Sequence, residues 1–272
     1  MTRLDVGTLR ARLLVPDGPY AALDVVARTG STNADLVAAV STGAADRTIL
    51  LAEQQTEGRG RHSRQWSSPQ GVGLYGSVLL RPQGVPHERL GWLTLLAGIA
   101  AVETVRERAG VAAQLKWPND LLAGGGKLAG ILAEAVPVDG DVAVVVGIGL
   151  NVVPLPEPVP PGAGGIAPVS LTGLGATETD RTELAVALFT RLAEVLQRWQ
   201  SAAGDVHASG LLQRYRGYCA TIGQQVSVEL AEGKLVGTAA DVDPDGRLVL
   251  QTAGGGTTRV SAGDVVHLRA GA

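Results

Sequence analysis

The sequence predicts a two-part chain, a large α/β (α+β) domain followed by a small β-barrel. Three observations carry this. Up to about residue 218, apolar runs of strand length are mixed with helix-periodic stretches, the clearest at 91–108 and 179–199. From residue 225 onward only short apolar runs remain, about five within fewer than 50 residues, separated by Asp/Pro/Gly turns. A chain of 272 residues has room for both units. The predicted domains are 1–218 and 219–272.

In order, Leu4, Leu9, Leu13 and Leu14 predict one short helix ending at the turn cluster 16–19. A strand is expected over 23–27. A helix follows over 34–40, with Ser31, Thr32 or Asn33 as its N-cap. Residues 49–53 form an apolar strand, 67–73 a Ser/Pro/Gly loop, and 74–80 another strand. The helix over 91–108 carries Arg106 and Arg108 in its last turn and Gly110 as its stop. A strand end at 114–117 is broken by Pro118, and Gly124-Gly125-Gly126 is a turn. Runs at 128–136 and 142–148 flank Asp139-Gly140, a hairpin signal. Residues 154–168, rich in proline and glycine, read as an irregular surface loop. The helix over 179–199 aligns Leu184, Leu188, Leu192 and Leu196 on one face, and 215–223 connects it to the terminal strands at 226–230, 236–242, 248–252, 257–261 and 265–268.

Composition narrows the function. The chain is 45% hydrophobic and 18% charged with net charge −3, so no global basic excess points to nucleic acid or an anionic membrane. One cysteine, Cys219, excludes an internal disulfide and a thiolate zinc cluster. The N-terminal stretch has no signal-peptide pattern, and the longest apolar run is far shorter than the roughly 20 residues of a membrane helix. The expected location is the cytoplasm. Residues 1–19 leave no room for a three-helix DNA-binding module, and nothing in the sequence specifies an oligomeric state.

Several motifs fail on inspection. Gly124-Gly125-Gly126-Lys127 lacks the Ser or Thr that a P-loop places after its lysine. Gly147-Ile148-Gly149 lacks the third glycine and the following helix of a dinucleotide fingerprint. The four histidines have no metal-ligand spacing, and no GxSxG elbow is present.

Three segments remain. Residues 58–66, Gly-Arg-Gly-Arg-His-Ser-Arg-Gln-Trp, combine glycines that permit close backbone approach with arginine forks suited to carboxylate or phosphate. The alternative is a solvated basic loop. In Lys116-Trp117-Pro118-Asn119-Asp120, a lone lysine ends an apolar segment and needs either an external anion or an ion pair with Asp120. In 126–134, Lys127 sits between glycines before an apolar strand, as a turn lysine or as a second anion contact. Together they place two of the chain's three lysines and three clustered arginines beside glycines or strand ends, equipment for holding a polyphosphate and a carboxylate together.

These segments, in this order, resemble the biotin protein ligase family. Gly58-Arg59-Gly60-Arg61 with Arg64 and Trp66 is similar to its biotin-binding loop, residues 116–120 match its KWPND motif, and 126–132 match its GKLAGIL segment. Ser31-Thr32-Asn33 and Gln55 match as well. One departure is His62-Ser63, where Arg-Gly is common. The resemblance implies a class II aminoacyl-tRNA synthetase-like catalytic domain with a mixed sheet and a C-terminal SH3-like barrel. It also implies ATP-dependent formation of biotinyl-5′-AMP, then transfer of biotin to a lysine of a biotin carboxyl carrier protein, without a DNA-binding repressor role. The implied substrates are biotin and ATP with Mg²⁺, and the protein itself is expected to supply no dedicated metal cage.

By resemblance and charge, Arg59, Arg61 and Lys127 are assigned to carboxylate and phosphate, and Lys116 to phosphate or to the reacting carboxylate. Ser31, Thr32, Asn33 and Gln55 are assigned to biotin, the first two and Gln55 through its ureido ring. Gly58 and Gly130 allow close approach. Arg64 joins the adenylate site. Trp66 stacks on adenine, walls the closed site, or anchors the loop. Asp120 orients the incoming lysine or the nucleotide, and Asn119 and Asn151 place phosphates or Mg²⁺. The loop 58–65 and the turn 124–126 are expected to order around the intermediate. A lipoate or octanoyl ligase is the nearest rival, and a module binding single-stranded nucleic acid the more distant one.

Overall fold

The computed structural model describes residues 2–138, 140–230, 233–261 and 263–268. Helix α1 (Val6–Leu13), capped by the Asp5 carboxylate, leads into β1 (Ala22–Val26). Helix α2 (Thr32–Ser41) is capped by Ser31 and followed by β2 (Thr48–Ala52) and β3 (Gly73–Leu80). Helix α3 (Trp92–Ala109) stops at Gly110, whose φ of 67° is the left-handed conformation a helix C-terminus uses. Strands β4 (Ala113–Lys116), β5 (Asp120–Ala123), β6 (Gly126–Val138) and β7 (Asp141–Asn151) complete the first sheet. Its order is β1-β2-β3-β7-β6-β5-β4, and only β1 and β2 run parallel, so the sheet is mixed as expected.

Helix α4 (Arg181–Ser201), capped by Asp180, and α5 (Leu211–Tyr218) follow. The last part is a five-stranded antiparallel sheet of β8 (Gln225–Leu230), β9 (Gly233–Val242), β10 (Leu248–Gln251), β11 (Thr257–Val260) and β12 (Asp264–His267), ordered β11-β10-β9-β8-β12. The predicted terminal strands match these in number and order.

Two elements depart from the sequence expectation. Strand β5 has four residues and no periodicity of its own; it exists because β4 and β6 pair with its two edges. Helix α5 begins in a stretch to which no element was assigned and runs into the connection expected over 215–223. Leu211, Leu212 and Tyr215 are buried, and α5 packs against α3, so tertiary burial selects helix in a short arginine-rich stretch. The hairpin between β6 and β7 forms where Asp139-Gly140 predicted it; Gly140 has φ 75°, and Asp139 lies outside the described residues.

Period-two alternation gives the first sheet two different faces. Ile49, Leu51, Val78, Leu80, Val144 and Val146 enter the main core with α3 and α4. Leu50, Leu79, Ala143 and Val145 point the other way, under Leu36 and Val40 of α2, in a separate small cluster. Further along that second face come Ser77, Gly147, Gly149 and Gly130. In register, Gly147 stands opposite Ser77 and Leu132, and Gly149 opposite Tyr75 and Gly130. The face that α2 covers thus runs on into a stretch where side chains are small or absent, and a cleft opens there.

A buried ion pair ties the N-terminal segment to the sheet. Glu53 at the end of β2 accepts from Leu4 N at 2.7 Å and from Arg181 Nη2 at 2.7 Å, and Arg181 also donates to the Thr2 carbonyl at 2.7 Å. Both side chains are at most 6% exposed, so removing one charge strands the other. Arg181→Met is expected to lower unfolding free energy by about 3 kcal/mol in urea titration. A loss under about 1 kcal/mol would show that the carboxylate finds other donors.

Candidate active site

The cleft has a volume of about 170 Å³ and draws on every segment singled out in the sequence. Ser31, Thr32, Asn33, Gln55, Arg59, Arg61, Arg64, Trp66, Lys116, Asn119, Asp120, Lys127 and Gly130 all line it. Gly58 and Asn151 do not. Gly58 sits beneath the loop, where a Cβ would meet the Trp66 carbonyl at 2.4 Å and Ser68 Oγ at 2.9 Å. Asn151 is buried, and its amide donates to the Val169 carbonyl at 3.0 Å, binding the end of β7 to the segment that follows the 154–168 loop.

The floor is made by glycine. A Cβ on Gly149 would come within 2.3 Å of Trp66 Nε1, one on Gly130 within 3.1 Å of Trp66 Cζ3, and one on Gly147 within 2.1 Å of Asn33 Oδ1. Gly130 and Gly149 are direct cross-strand partners, so together they leave a groove in which the indole lies against bare backbone. Trp66 is therefore both wall and anchor of the loop. Its Nε1 is buried without a hydrogen-bond partner among the described residues. The two glycines of β7, spaced two apart in an apolar strand, are the sequence signal for this floor, and they serve it without forming a dinucleotide fingerprint.

One wall is a hydrogen-bond relay. Gln55 Oε1 accepts from Thr32 N at 2.9 Å, and Gln55 Nε2 donates to Ser68 Oγ at 2.9 Å. Ser77 Oγ donates to Asn33 Oδ1 at 2.6 Å, which uses its only proton. The 2.7 Å contact between Thr32 Oγ1 and Ser77 Oγ then has Thr32 as donor. Asn33 Nδ2 passes the chain on to Glu134 Oε2 at 2.7 Å, and Glu134 Oε1 lies 3.6 Å from Arg59 Nη1. Ser77 is fully buried and was missed; in the sequence it is one small polar residue in an apolar strand.

The opposite wall is charged. Asp120, at the start of β5, stands between two lysines: Lys127 Nζ at 2.6 Å from Oδ1 and Lys116 Nζ at 3.7 Å from Oδ2. The Lys127 contact is an ion pair by proximity and does not meet hydrogen-bond geometry at Oδ1. The internal pair with Asp120, one alternative for Lys116, is thus present, yet Lys116 still faces the cleft. Burial pushes the Lys116 ammonium below its ordinary pKa; Asp120 opposes that shift and Lys127 adds to it. Lys127 Nζ also lies 5.4 Å from the Trp66 ring centre, a cation–π contact. Asn119 spends its amide N–H on the Ile131 carbonyl at 2.9 Å.

The arginine loop is a miniature hairpin. Gly60 N donates to Arg64 O at 2.7 Å, Trp66 N donates to Gly58 O at 2.8 Å, and Arg59 bridges Gln65. At its tip, His62 and Ser63 hold φ of 53° and 58°, a left-handed pair in which glycine would be at ease. Burial lowers the pKa of Arg61, opposed by Asp264 and Asp120. The 154–168 loop is tied down as well. Lys127 N donates to Ala167 O at 2.8 Å, and Val159, Pro160 and Ile166 roof the cleft. Asp264 and Val265 of β12 complete the lining from the second sheet. Asp264 is 200 residues from its partner Arg64, and no local pattern marks it.

Among the described residues no three Asp, Glu, His or Cys side chains converge on a point that could hold a metal ion. Both carboxylates lining the cleft, Asp120 and Asp264, already face cations. Among the described residues no helix is long and apolar enough to cross a membrane.

Such a site, a polar relay facing a cluster of cations across a glycine floor, suits a ligase that activates a small carboxylic acid. Comparison with known proteins agrees. Residues 25–151 match the Biotin/lipoate A/B protein ligase family, and 221–268 match the biotin protein ligase C-terminal domain. The chain is 46% identical to a biotin–[acetyl-CoA-carboxylase] ligase of Mycobacterium tuberculosis, over 98% of this chain and 96% of that protein. It is 33% identical to the bifunctional ligase/repressor BirA of Bacillus subtilis, over 84% of this chain and 68% of that one. A biotin protein ligase of Aquifex aeolicus, solved with biotin and ATP, superimposes with a TM-score of 0.75 at 28% identity, covering 92% of this chain and all of that one. The chain belongs to the biotin protein ligase family.

Gly149→Ala is expected to expel the indole from its groove, with a red shift of tryptophan emission and unchanged far-UV circular dichroism. Unaltered emission in a folded variant would show that the groove is not the seat of Trp66.

Proposed function

We propose that this chain joins biotin to a lysine of a biotin carboxyl carrier domain in two steps, through biotinyl-5′-AMP, using ATP. The observation that carries the proposal is the pairing, in one cleft, of an amide-and-hydroxyl relay with five cations, Arg59, Arg61, Arg64, Lys116 and Lys127. The first complements the ureido edge of biotin, which both donates and accepts. The second answers the problem of the reaction, in which one anion, the biotin carboxylate, must attack another, the α-phosphate.

Thr32 and Gln55 take the ureido group, with Ser31 and Asn33 at the same wall. The indole of Trp66, the backbone of Gly130 and the apolar roof of the 154–168 loop enclose what lies between the two ends. Lys127 and Arg61 draw the carboxylate and the α-phosphate together, and Lys116 and Arg64 take up charge that grows on the phosphate oxygens. Arg59 lies at the rim against Glu134, where it can swing to a carboxylate or phosphate. Pyrophosphate leaves as the mixed anhydride forms. In the second step the carrier lysine attacks the anhydride carbonyl and AMP leaves. Asp120 exchanges a protein ammonium for the incoming one and so aligns it. Mg²⁺ would be carried by the nucleotide's own phosphates, where it offsets their charge. The ligation unit extends over 1–218 and the small domain over 219–272.

Biotin is preferred to lipoate because the relay supplies paired donors and acceptors, which a dithiolane ring cannot use. Incubation with ATP, Mg²⁺, biotin and a carrier domain should raise the carrier's mass by one biotinyl group. No mass change, or a change with lipoate alone, would sink the proposal.

Two variants separate chemistry from folding. Lys127→Ala should cut biotin-dependent pyrophosphate exchange by about 10²-fold or more with an unchanged melting curve; near-normal exchange would reassign that lysine. Lys116→Met should impair exchange yet raise stability. Burial depresses the Lys116 pKa, so the native state binds protons less readily than the unfolded chain, and below the native pKa the charged form costs stability. Asp120 keeps Lys127 as partner, so no charge is stranded. The expected gain is about 1 kcal/mol at neutral pH. A clear loss of stability would show that Asp120 needs both lysines.

A further inference from the structure

Lys116 is the last residue of β4, the outermost strand of the first sheet. On its inner side β4 pairs with β5. Its outer edge is met by the chain that opens the small domain. Ala220 N donates to the Leu115 carbonyl at 2.8 Å, and Cys219 bridges Leu115 in parallel register. The next outward donor on that edge is Trp117 N, and a side chain meets it: Thr221 Oγ1 accepts at 3.0 Å. These two contacts bracket Lys116 along the backbone. Thr221 and Trp117 are both buried, so water does not compete for the bond.

The Thr221 hydroxyl has one proton to give. With its oxygen accepting from Trp117, that proton goes to His267 Nε2 at 3.1 Å. The bond assigns the imidazole as the neutral tautomer protonated on Nδ1. Burial lowers the His267 pKa, and the Lys116 charge lowers it further, which keeps the ring an acceptor. His267 ends β12, paired in register with Val226 of β8. The hydroxyl is thus held in one orientation from a second strand of the small domain.

Little in the first sheet fixes the ammonium itself. Lys116 Nζ lies 3.7 Å from Asp120 Oδ2, with no closer ion pair or hydrogen bond among the described residues. Asp120 is itself drawn to Lys127 at 2.6 Å. The ammonium therefore stands where its backbone puts it, and residues 219–221 hold that backbone. We infer that Thr221 is a positioning residue: from the small domain, with His267 orienting its hydroxyl, it sets the place of Lys116 in the cleft. Stabilisation of charge growing on phosphate oxygens is steep in distance, so drift at the end of β4 costs rate more than binding. The kinetic consequence rests on the proposed biotin and ATP reading; the hydrogen-bond arrangement does not.

The test uses the full chain. Thr221→Val keeps the side chain's shape and removes the acceptor. Amide hydrogen exchange at Trp117 should rise about tenfold or more, with amide exchange in β3 and β7 and far-UV circular dichroism unchanged. Biotin-dependent pyrophosphate exchange should lose about tenfold in kcat, with KM for biotin within about twofold of wild type. Thr221→Ser should restore both readings. His267→Leu should lower kcat about threefold, and His267→Gln, whose amide oxygen can accept from Thr221, should recover it. On a Lys116→Met background, adding Thr221→Val should change kcat less than about twofold, because the hydroxyl acts through that lysine. Wild-type kcat in Thr221→Val, or an undiminished loss on the Lys116→Met background, would overturn the inference. A wild-type chain without biotin-dependent exchange, in which Thr221→Val still frees the Trp117 amide, would overturn the biotin reading and leave the anchoring supported.

Discussion

The site depends on space left by three glycines on one face of a sheet. Gly147 and Gly149 of β7 and Gly130 of β6 lie beyond the point where α2 stops covering that face. Two positions earlier, Val145 fills the same row under the helix. Replacing side chains by hydrogen there lets the Trp66 indole and the Asn33 amide descend onto the backbone. The arginine loop, which carries Trp66, is seated by that contact, and the relay through Ser77 is seated by the other. Any Cβ in this row would lift one wall of the cleft.

Charge is the second constraint. Five cations face a cleft whose own carboxylates number two, Asp120 and Asp264. Such a concentration of one sign is tolerated because each carboxylate is shared: Asp120 by Lys116 and Lys127, Asp264 by Arg64 and, at longer range, His62. The excess positive charge costs stability without an anion and becomes an asset when anionic substrates enter. Burial sharpens this at Lys116, where the ammonium is pushed toward its neutral form and gains most from an arriving negative group.

The two sheets are coupled through polar contacts. Trp92 and Trp117 donate their indole N–H groups to the carbonyls of Pro244 and Gly246, and Arg216 pairs with Asp241. These bonds fix the small sheet against the helix and strand that lead to Lys116. They place β12 at the mouth of the cleft, where its carboxylate reaches the loop.

The order of most elements, the two-part division of composition and the three charged segments were legible in the sequence, because alternation, caps, turn glycines and motifs are local. Gly110 ending α3 follows from residue type, and so does a Ser, Thr or Asn cap on α2, of which the structure selects Ser31. Tertiary structure decided the rest. β5 has too few residues to show a period and exists through its neighbours; α5 is helical because its apolar side chains are buried against α3. Ser77 and the paired glycines acquire meaning only once register sets them opposite one another. Asp264 is one acid among 26 acidic residues until folding brings it across 200 positions to Arg64. Composition and motif specify which groups are available, whereas distance, desolvation and partner are properties of the packed chain.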